Sequence, residues 1–292
     1  MTKALGDHEV TGFDIKSGID ARDYFRTNND YFDVVVHAAA VVGGRTKIDG
    51  APLDLAVDLA IDAEMFQWAM RARPGKVLYF SSSAAYPTHL QVSPDSWART
   101  VEFVKTTHQD FFAGDIPRVL RETDMELNSL DSPDGIYGWI KLTGEKVAAF
   151  AAGEGLNVLV TRCFSSYGAD QDLDYPFPSF IQKGLQRLDP FPIWGDKSSQ
   201  RDWIHVEDVC AALMSAIKDD ITGTYNLCTG IGTRFDDLAR MVCAQIGYEP
   251  EIAEQRGQPM GVHTRVGDPT KMNSFYSHTI SIEEGIARAL KS

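Results

Sequence analysis

Apolar runs and helical spacings alternate along most of the chain. Four runs read as buried strands: FDVVVHAAA at 32–40, KVLYFSS at Lys76–Ser82, NVLVTR at 157–162 and GTYNL at Gly223–Leu227. Their apolar character on both faces suits a mostly parallel sheet covered on either side. Helical spacing falls between them, over Ala21–Thr27, 52–73, 137–151, Val206–Lys218, 234–246 and 282–291. Pro74-Gly75 closes the second of these segments, and Gly153 and Gly155 close the third. A short helix at 1–5, a turn at Gly6-Asp7 and a strand over 9–13 ending at Asp14 are predicted ahead of them. Strand–helix alternation of this kind predicts an α/β fold built from βαβ units.

Two stretches break the rhythm. The segment between Tyr86 and Tyr137 is too long for an ordinary βα loop. Ser93-Pro94 can start a helix there, and Trp97, Val101, Val104, His108 and Phe111 recur at helical spacing. Both an amphipathic packed helix and a cap over a site fit that spacing. From Phe164 to Trp203 the chain turns irregular and rich in Pro, Gly and aromatics, which predicts a binding lobe made of loops.

Composition narrows the function classes. The 292 residues are 43% hydrophobic and carry a formal charge of −13, which argues against nucleic-acid and membrane-surface binding. Cys163, Cys210, Cys228 and Cys243 show no metal-ligand spacing and read as buried thiols in a reducing cytoplasm. No apolar run has the length of a membrane span.

Chemistry concentrates at strand ends. Tyr137 and Lys141 lie four residues apart, on one face of a helix. A phenol ionises near pH 10, so it is a poor base at neutrality unless a nearby cation favours the phenolate. Ser81-Ser82-Ser83 closes a buried strand, where open α/β sheets bind ligands. His37-Ala38-Ala39-Ala40 closes another with small residues, which either pack a helix closely or let a flat nucleoside approach the backbone. Asp14, at the tip of a strand, suits the ribose hydroxyls of a dinucleotide. The glycine loop that goes with such an acid belongs roughly 20 residues upstream of it, and the sequence has no G-x-x-G-x-x-G run.

These segments together resemble the NAD-dependent epimerase/dehydratase family, extended short-chain dehydrogenases/reductases acting on nucleotide sugars. DVVVHAAA resembles its D-x-V-x-H-x-A-A strand, and Asp20-Ala21-Arg22-Asp23 its adenine-contacting D-I-R-D segment. VLYFSSSAAYP resembles the strand delivering the catalytic hydroxyl, aligned with Ser83, and YGWIK with Glu145 resembles Y-x-x-x-K-x-x-x-E. TRCFSSYG resembles R-x-x-N-x-Y-G-P, QRDWIHVEDV resembles R-D-[WY]-I-H-V-x-D-V, and Tyr225–Gly230 resembles the late Y-N-L-G turn. Val42-Gly43-Gly44 and Pro259-Met260-Gly261 resemble the GDP-fucose synthase branch, although Asp14 favours NAD over NADP. Ser165 and Asp58 stand where the family usually has Asn.

The resemblance implies a Rossmann-type doubly wound parallel sheet lacking its first strand and glycine loop, so that the chain repacks or borrows a strand. It implies a dinucleotide-binding domain over 1–163 and about 203–228, and a substrate lobe over 164–202 and 229–292. Residues 88–136 form an inserted cap or long loop. Tyr137 is the expected base, Lys141 lowers its pKa and Ser83 orients the substrate hydroxyl. Asp14, Asp20, Ala21, Ala38, Ala39, Ala40, Tyr137, Lys141 and Phe164 are the expected NAD contacts. Ser165, Trp194, Arg201 and Arg256 are expected on a nucleotide-diphosphate sugar, with Trp194 on the base and the arginines on the diphosphate. A homodimer is expected through a four-helix bundle, with Met65, Trp68, Ala69, Val147 and Phe150 as its seam. Epimerase, dehydratase and reductase outcomes stay open, as does a cofactor-impaired binder or scaffold.

Overall fold

The computed structural model describes residues 6, 8–96, 98, 119–125, 132–255, 257 and 261–291. The expected helix at 1–5, the helical positions at Trp97, Val101, Val104, His108 and Phe111, and Arg256, Pro259 and Met260 lie outside the described residues.

In chain order the strands are β1 (Val34–His37), β2 (Lys76–Ser82), β3 (Val158–Cys163), β4 (Ser165–Tyr167), β5 (Phe191–Trp194), β6 (Gln200–His205), β7 (Gly223–Leu227), β8 (Gly232–Arg234), β9 (Ile252–Gln255) and β10 (Thr264–Arg265). The helices are α1 (Ala21–Thr27), α2 (Arg45–Gly50), α3 (Pro52–Leu55), α4 (Val57–Ala72), α5 (Gly135–Gly153), α6 (Pro176–Leu185), α7 (Val206–Lys218), α8 (Phe235–Ile246) and α9 (Ile282–Ala289).

β1, β2, β3 and β7 pair in that order, all parallel, as a Rossmann-like sheet. Side chains alternate across it. Val77, Tyr79, Val158 and Val160 pack with Met65, Phe66, Trp68, Ala69, Ala148 and Ala151 of α4 and α5. Leu78 and Leu159 face the other way, onto Val209, Ala212, Leu213 and Ala216 of α7. Period-two alternation on strands that are apolar throughout is what covers both faces with helices. A smaller mixed sheet runs β10-β6-β4 with β8 antiparallel to β6, and β5 pairs with β9.

Several expectations change. No strand forms at 9–13. A strand exists only where its backbone finds a ladder, and Phe13 instead packs its ring 4.0 Å from Tyr24. β1 is shorter than the apolar run that suggested it, and no described strand pairs with its free edge. The segment from Phe164 to Trp203 is not all loop: it holds β4, α6, β5 and the start of β6, around a core of Tyr167, Phe177, Phe180, Phe191 and Trp203. Met65, Trp68 and Ala69 are buried in the chain's own core and so cannot form an exposed seam. All four cysteines are free, and no helix among the described residues is long and apolar enough to cross a membrane.

Candidate active site

α5 carries Tyr137 and Lys141 into the interior at the C-terminal ends of β2 and β3. Gly138 makes this possible, because a Cβ there would collide with the Ala84 carbonyl of the turn that follows β2. Lys141 is buried, with its Nζ 5.8 Å from the ring centres of both Tyr137 and Tyr79. Ser82, the last residue of β2, and the expected Ser83 both reach the wall of the cavity that Tyr137 lines. Ser83 opens the next turn, buried beside the same cavity, while Ser81 donates to Glu145. Three consecutive hydroxyls at a strand end point to different neighbours, and alignment alone does not choose between them.

The expected depression of Tyr137 by Lys141 is not what dominates. Burial pushes the phenol up to about 12, and the Ser82 hydrogen bond and the Arg265 charge only partly offset it. Burial likewise raises Cys163, on the same cavity wall, to about 12, so it is an inert thiol.

Beneath Lys141 lies a polar network that the sequence did not reveal. Tyr79 donates to Asp62 Oδ2 at 2.5 Å, and His37 Nε2 is 2.9 Å from Asp62 Oδ1. Asp58 is fully buried and accepts the Val41 amide at 2.6 Å. Its Oδ2 has no hydrogen-bond partner among the described residues, and burial raises its pKa, with the Val41 amide and the Lys141 charge opposing. The two aspartates fall four apart on α4, a spacing that hints at a shared inward face.

Tyr137, Ser82, Ser83, Phe164, Ser165, Trp194 and Arg201 all line one cavity of about 460 Å³. Arg201 donates to the main-chain carbonyls of Gln200, His263 and Val262 at 2.7, 3.2 and 2.8 Å. It has no carboxylate partner among the described residues. Burial, with the neighbouring Arg265 charge, lowers it to about 9. Strand alternation sends the next residue, Asp202, the other way, to receive the Thr229 and Gly230 amides. Trp194 is 46% exposed on the cavity wall. Sequence reading missed Arg45, Asp134 and Arg265, which join in the same cavity: Asp134 Oδ1 takes Arg45 at 2.9 Å and Oδ2 takes Arg265 at 2.7 Å. Only an arginine directly after Gly43-Gly44 could have flagged that cluster.

Asp14, Asp20, Ala21, Ala38, Ala39 and Ala40 line a separate cavity of about 430 Å³ along the free edge of β1. Asp14 is exposed and accepts the Lys16 amide at 2.8 Å. Asp20 is clamped by Arg22, whose hydrogen bonds bring its carboxyl down to about 2. An acid beside small residues fits the nucleoside part of a dinucleotide. No glycine loop aims backbone amides at a pyrophosphate there among the described residues.

The NAD dependent epimerase/dehydratase family model matches residues 2–228. GDP-L-fucose synthase of Sinorhizobium fredii (strain NBRC 101917 / NGR234) is 23% identical over 270 residues, 88% of this chain and 78% of that protein. The solved structure of MoeE5 in complex with UDP-glucuronic acid and NAD superposes with a TM-score of 0.71 at 24% identity, covering 97% of this chain and 84% of that one. UDP-glucuronic acid 4-epimerase of Bacillus cereus, in complex with UDP-glucuronic acid and NAD, gives 0.71 at 21% identity over 96% and 79%. With the family model spanning most of its length and its parallel sheet matching, the chain belongs to the NAD dependent epimerase/dehydratase family.

Proposed function

We propose that this chain oxidises a carbon of a nucleotide-diphosphate sugar reversibly, through a transient ketone, as the common step of epimerase, dehydratase and reductase chemistry. The observation that carries the reading is one cavity with Tyr137 and Ser82 at one part of its wall and the unneutralised Arg201 at another. Tyr137 takes the proton of the sugar hydroxyl. Ser83, with Ser82 beside it on the same wall, holds that hydroxyl and then the ketone oxygen. The Lys141 ammonium stabilises the phenolate and reaches the nicotinamide ribose. NAD, when bound, supplies the hydride-accepting chemistry. Arg201 and Arg265 hold the diphosphate, whose oxygens match guanidinium forks, with Arg256 as a further phosphate ligand. Ser165 contacts the sugar and Trp194 stacks on the base.

Asp14, Asp20 and Ala21 with Ala38–40 receive the adenosine, and Phe164 the nicotinamide end. The free edge of β1 supports completion of the pyrophosphate cradle by a strand and glycine loop from outside the described residues. A second reading rests on the same edge: a nucleotide-sugar binder that has lost tight NAD. Nicotinamide content of the purified protein separates the two. In NAD-loaded protein, Tyr137→Phe is expected to abolish turnover of a UDP- or GDP-hexose, and undiminished turnover rules the assignment out. Helices α4 and α5 would pair with a second copy, through Leu59, Trp139 and the 78%-exposed Phe150.

A further inference from the structure

Helices α4 and α5 each return the chain between parallel strands, from β1 to β2 and from β2 to β3, so the two run in the same direction. Their register is fixed at Gly144 of α5. A Cβ there would overlap the Tyr79 hydroxyl and come within 2.8 Å of Asp62 Oδ2, so Asp62 of α4 stands opposite Gly144. One turn earlier on each helix lie Asp58 and Lys141, and the shared direction sets these two against each other. Both are buried.

The two carboxylates of α4 are used differently. Asp62 has both oxygens bonded, one to Tyr79 of β2 and one to His37 of β1. Asp58 gives Oδ1 to the Val41 amide at 2.6 Å and keeps Oδ2 without a partner among the described residues. The charges that act on Asp58 come from Lys141 on α5, Asp62 on its own helix and His37 on β1. Tyr79 of β2 stands behind Asp62, and Glu145 further along α5 is already paired with Arg162. Asp58 lines neither of the cavities described above, so its uncommitted charge acts on neighbouring side chains. The Tyr137 phenol is one of them. Lys141 and the Val41 amide favour the ionised acid against burial. A negative charge shielded from water disfavours a second one nearby, so an ionised Asp58 opposes the phenolate that Lys141 supports.

We propose that Asp58 is a positioning residue that acts through Lys141: its carboxylate offsets the ammonium and holds the Tyr137 phenol protonated. This inference rests on the function proposed above.

Asp58→Asn tests it, because the amide oxygen still receives the Val41 amide while the charge is gone. In NAD-loaded protein turning over a UDP- or GDP-hexose, the rise of kcat/KM with pH is expected to move down by roughly half to one pH unit, making the variant about three- to tenfold faster than wild type at neutral pH. A purely structural role would lower the profile without moving it. That result, or a move to higher pH, overturns the inference and leaves the proposed function standing. Tyrosinate absorbance of the ligand-free protein, with that of Tyr137→Phe subtracted, reads the same charge without turnover. Its onset is expected at lower pH in Asp58→Asn than in wild type, and coincident onsets overturn the inference. The shifted onset in a protein whose NAD-loaded wild type turns over no nucleotide sugar supports the charge relation and overturns the proposed function instead. Asp58→Ser, also neutral, carries both measurements if Asp58→Asn folds poorly.

Discussion

Asp134 and Arg265, 131 positions apart in the chain, meet at 2.7 Å at the foot of the helix that carries Tyr137. The other Asp134 oxygen holds Arg45, and its amide donates to the Ala84 carbonyl at 2.9 Å. One carboxylate thus ties the first residue of α2 and the C-terminal β10 to the start of α5. Burial alone would raise its pKa, but the Arg265 and Arg45 charges and hydrogen bonds outweigh it and hold the carboxyl below its usual range. A depressed carboxylate contributes stability above its unfolded pKa of ~3.9, and that contribution is lost as pH falls through the lower folded value. Asp134→Asn is expected to cost roughly 2–3 kcal/mol at neutral pH, discounted because Arg45 is partly exposed. The gap to wild type should close in acid, below about pH 4. Urea unfolding of both proteins across that range checks it.

Turnover should follow the ionisation of Tyr137. With burial holding the phenol near 12, the phenolate fraction grows by about tenfold per pH unit across the neutral and alkaline range. For NAD-loaded protein, kcat/KM is expected to climb with pH until the phenolate is fully formed. Lys141→Met removes the neighbouring ammonium and should move that climb to higher pH, with lower activity at every pH below it. A pH profile that Lys141→Met scales down without shifting would mean the lysine acts only in binding.

The buried Glu145–Arg162 pair makes a two-pronged contact, at 2.9 and 2.8 Å, linking α5 to β3. Arg162 also donates to the Tyr86 hydroxyl at 3.0 Å, which in turn donates to Asn226. Glu145→Gln leaves a guanidinium uncompensated in the core and is expected to cost about 3–5 kcal/mol. Replacing both partners with apolar residues should cost less than Glu145→Gln alone, because no lone charge stays behind. Chemical denaturation of the single and double variants measures the difference.

Association is tested at Phe150. An aromatic side chain this exposed at the end of α5 is covered if α4 and α5 meet a second copy. Phe150→Glu should then yield monomer in analytical ultracentrifugation with an unchanged melting temperature for the monomer. Wild-type protein that is already monomeric at micromolar concentration would remove the bundle.

Elements whose own residues carry the signal were legible from sequence. β2 and α7 match their expected bounds because an apolar run and an apolar stripe are interrupted at both ends. The Tyr137–Lys141 pair was legible because helical spacing places both on one face. α2 was not, since RTKIDG has one aliphatic residue and no stripe; its capping glycine, Gly44, binds the distant Asp174 instead. The Asp134 clamp and the Asp62 network were hidden for the same reason: each joins residues far apart in sequence, and only the packed sheet brings them together. The serines were legible as a group, since a hydroxyl triplet at the end of a buried strand marks the cavity wall without ranking Ser82 against Ser83.

Arg201 separates binding from stability. Its guanidinium is held by three main-chain carbonyls and, among the described residues, by no carboxylate, and burial lowers its pKa, so the charge is costly to the ligand-free protein. A charge of that kind persists where a ligand repays it. Arg201→Met keeps much of the stem that packs on Phe235 while removing the charge. Thermal stability without ligand is therefore expected to stay level or rise. Affinity for a nucleoside diphosphate should fall by tenfold or more, about the worth of a charge-assisted contact. The salt dependence of binding should weaken in parallel, because one fewer cation meets the phosphates. A variant that melts several degrees lower yet binds the diphosphate as tightly as wild type would make Arg201 a structural tie and move the diphosphate elsewhere in the cavity.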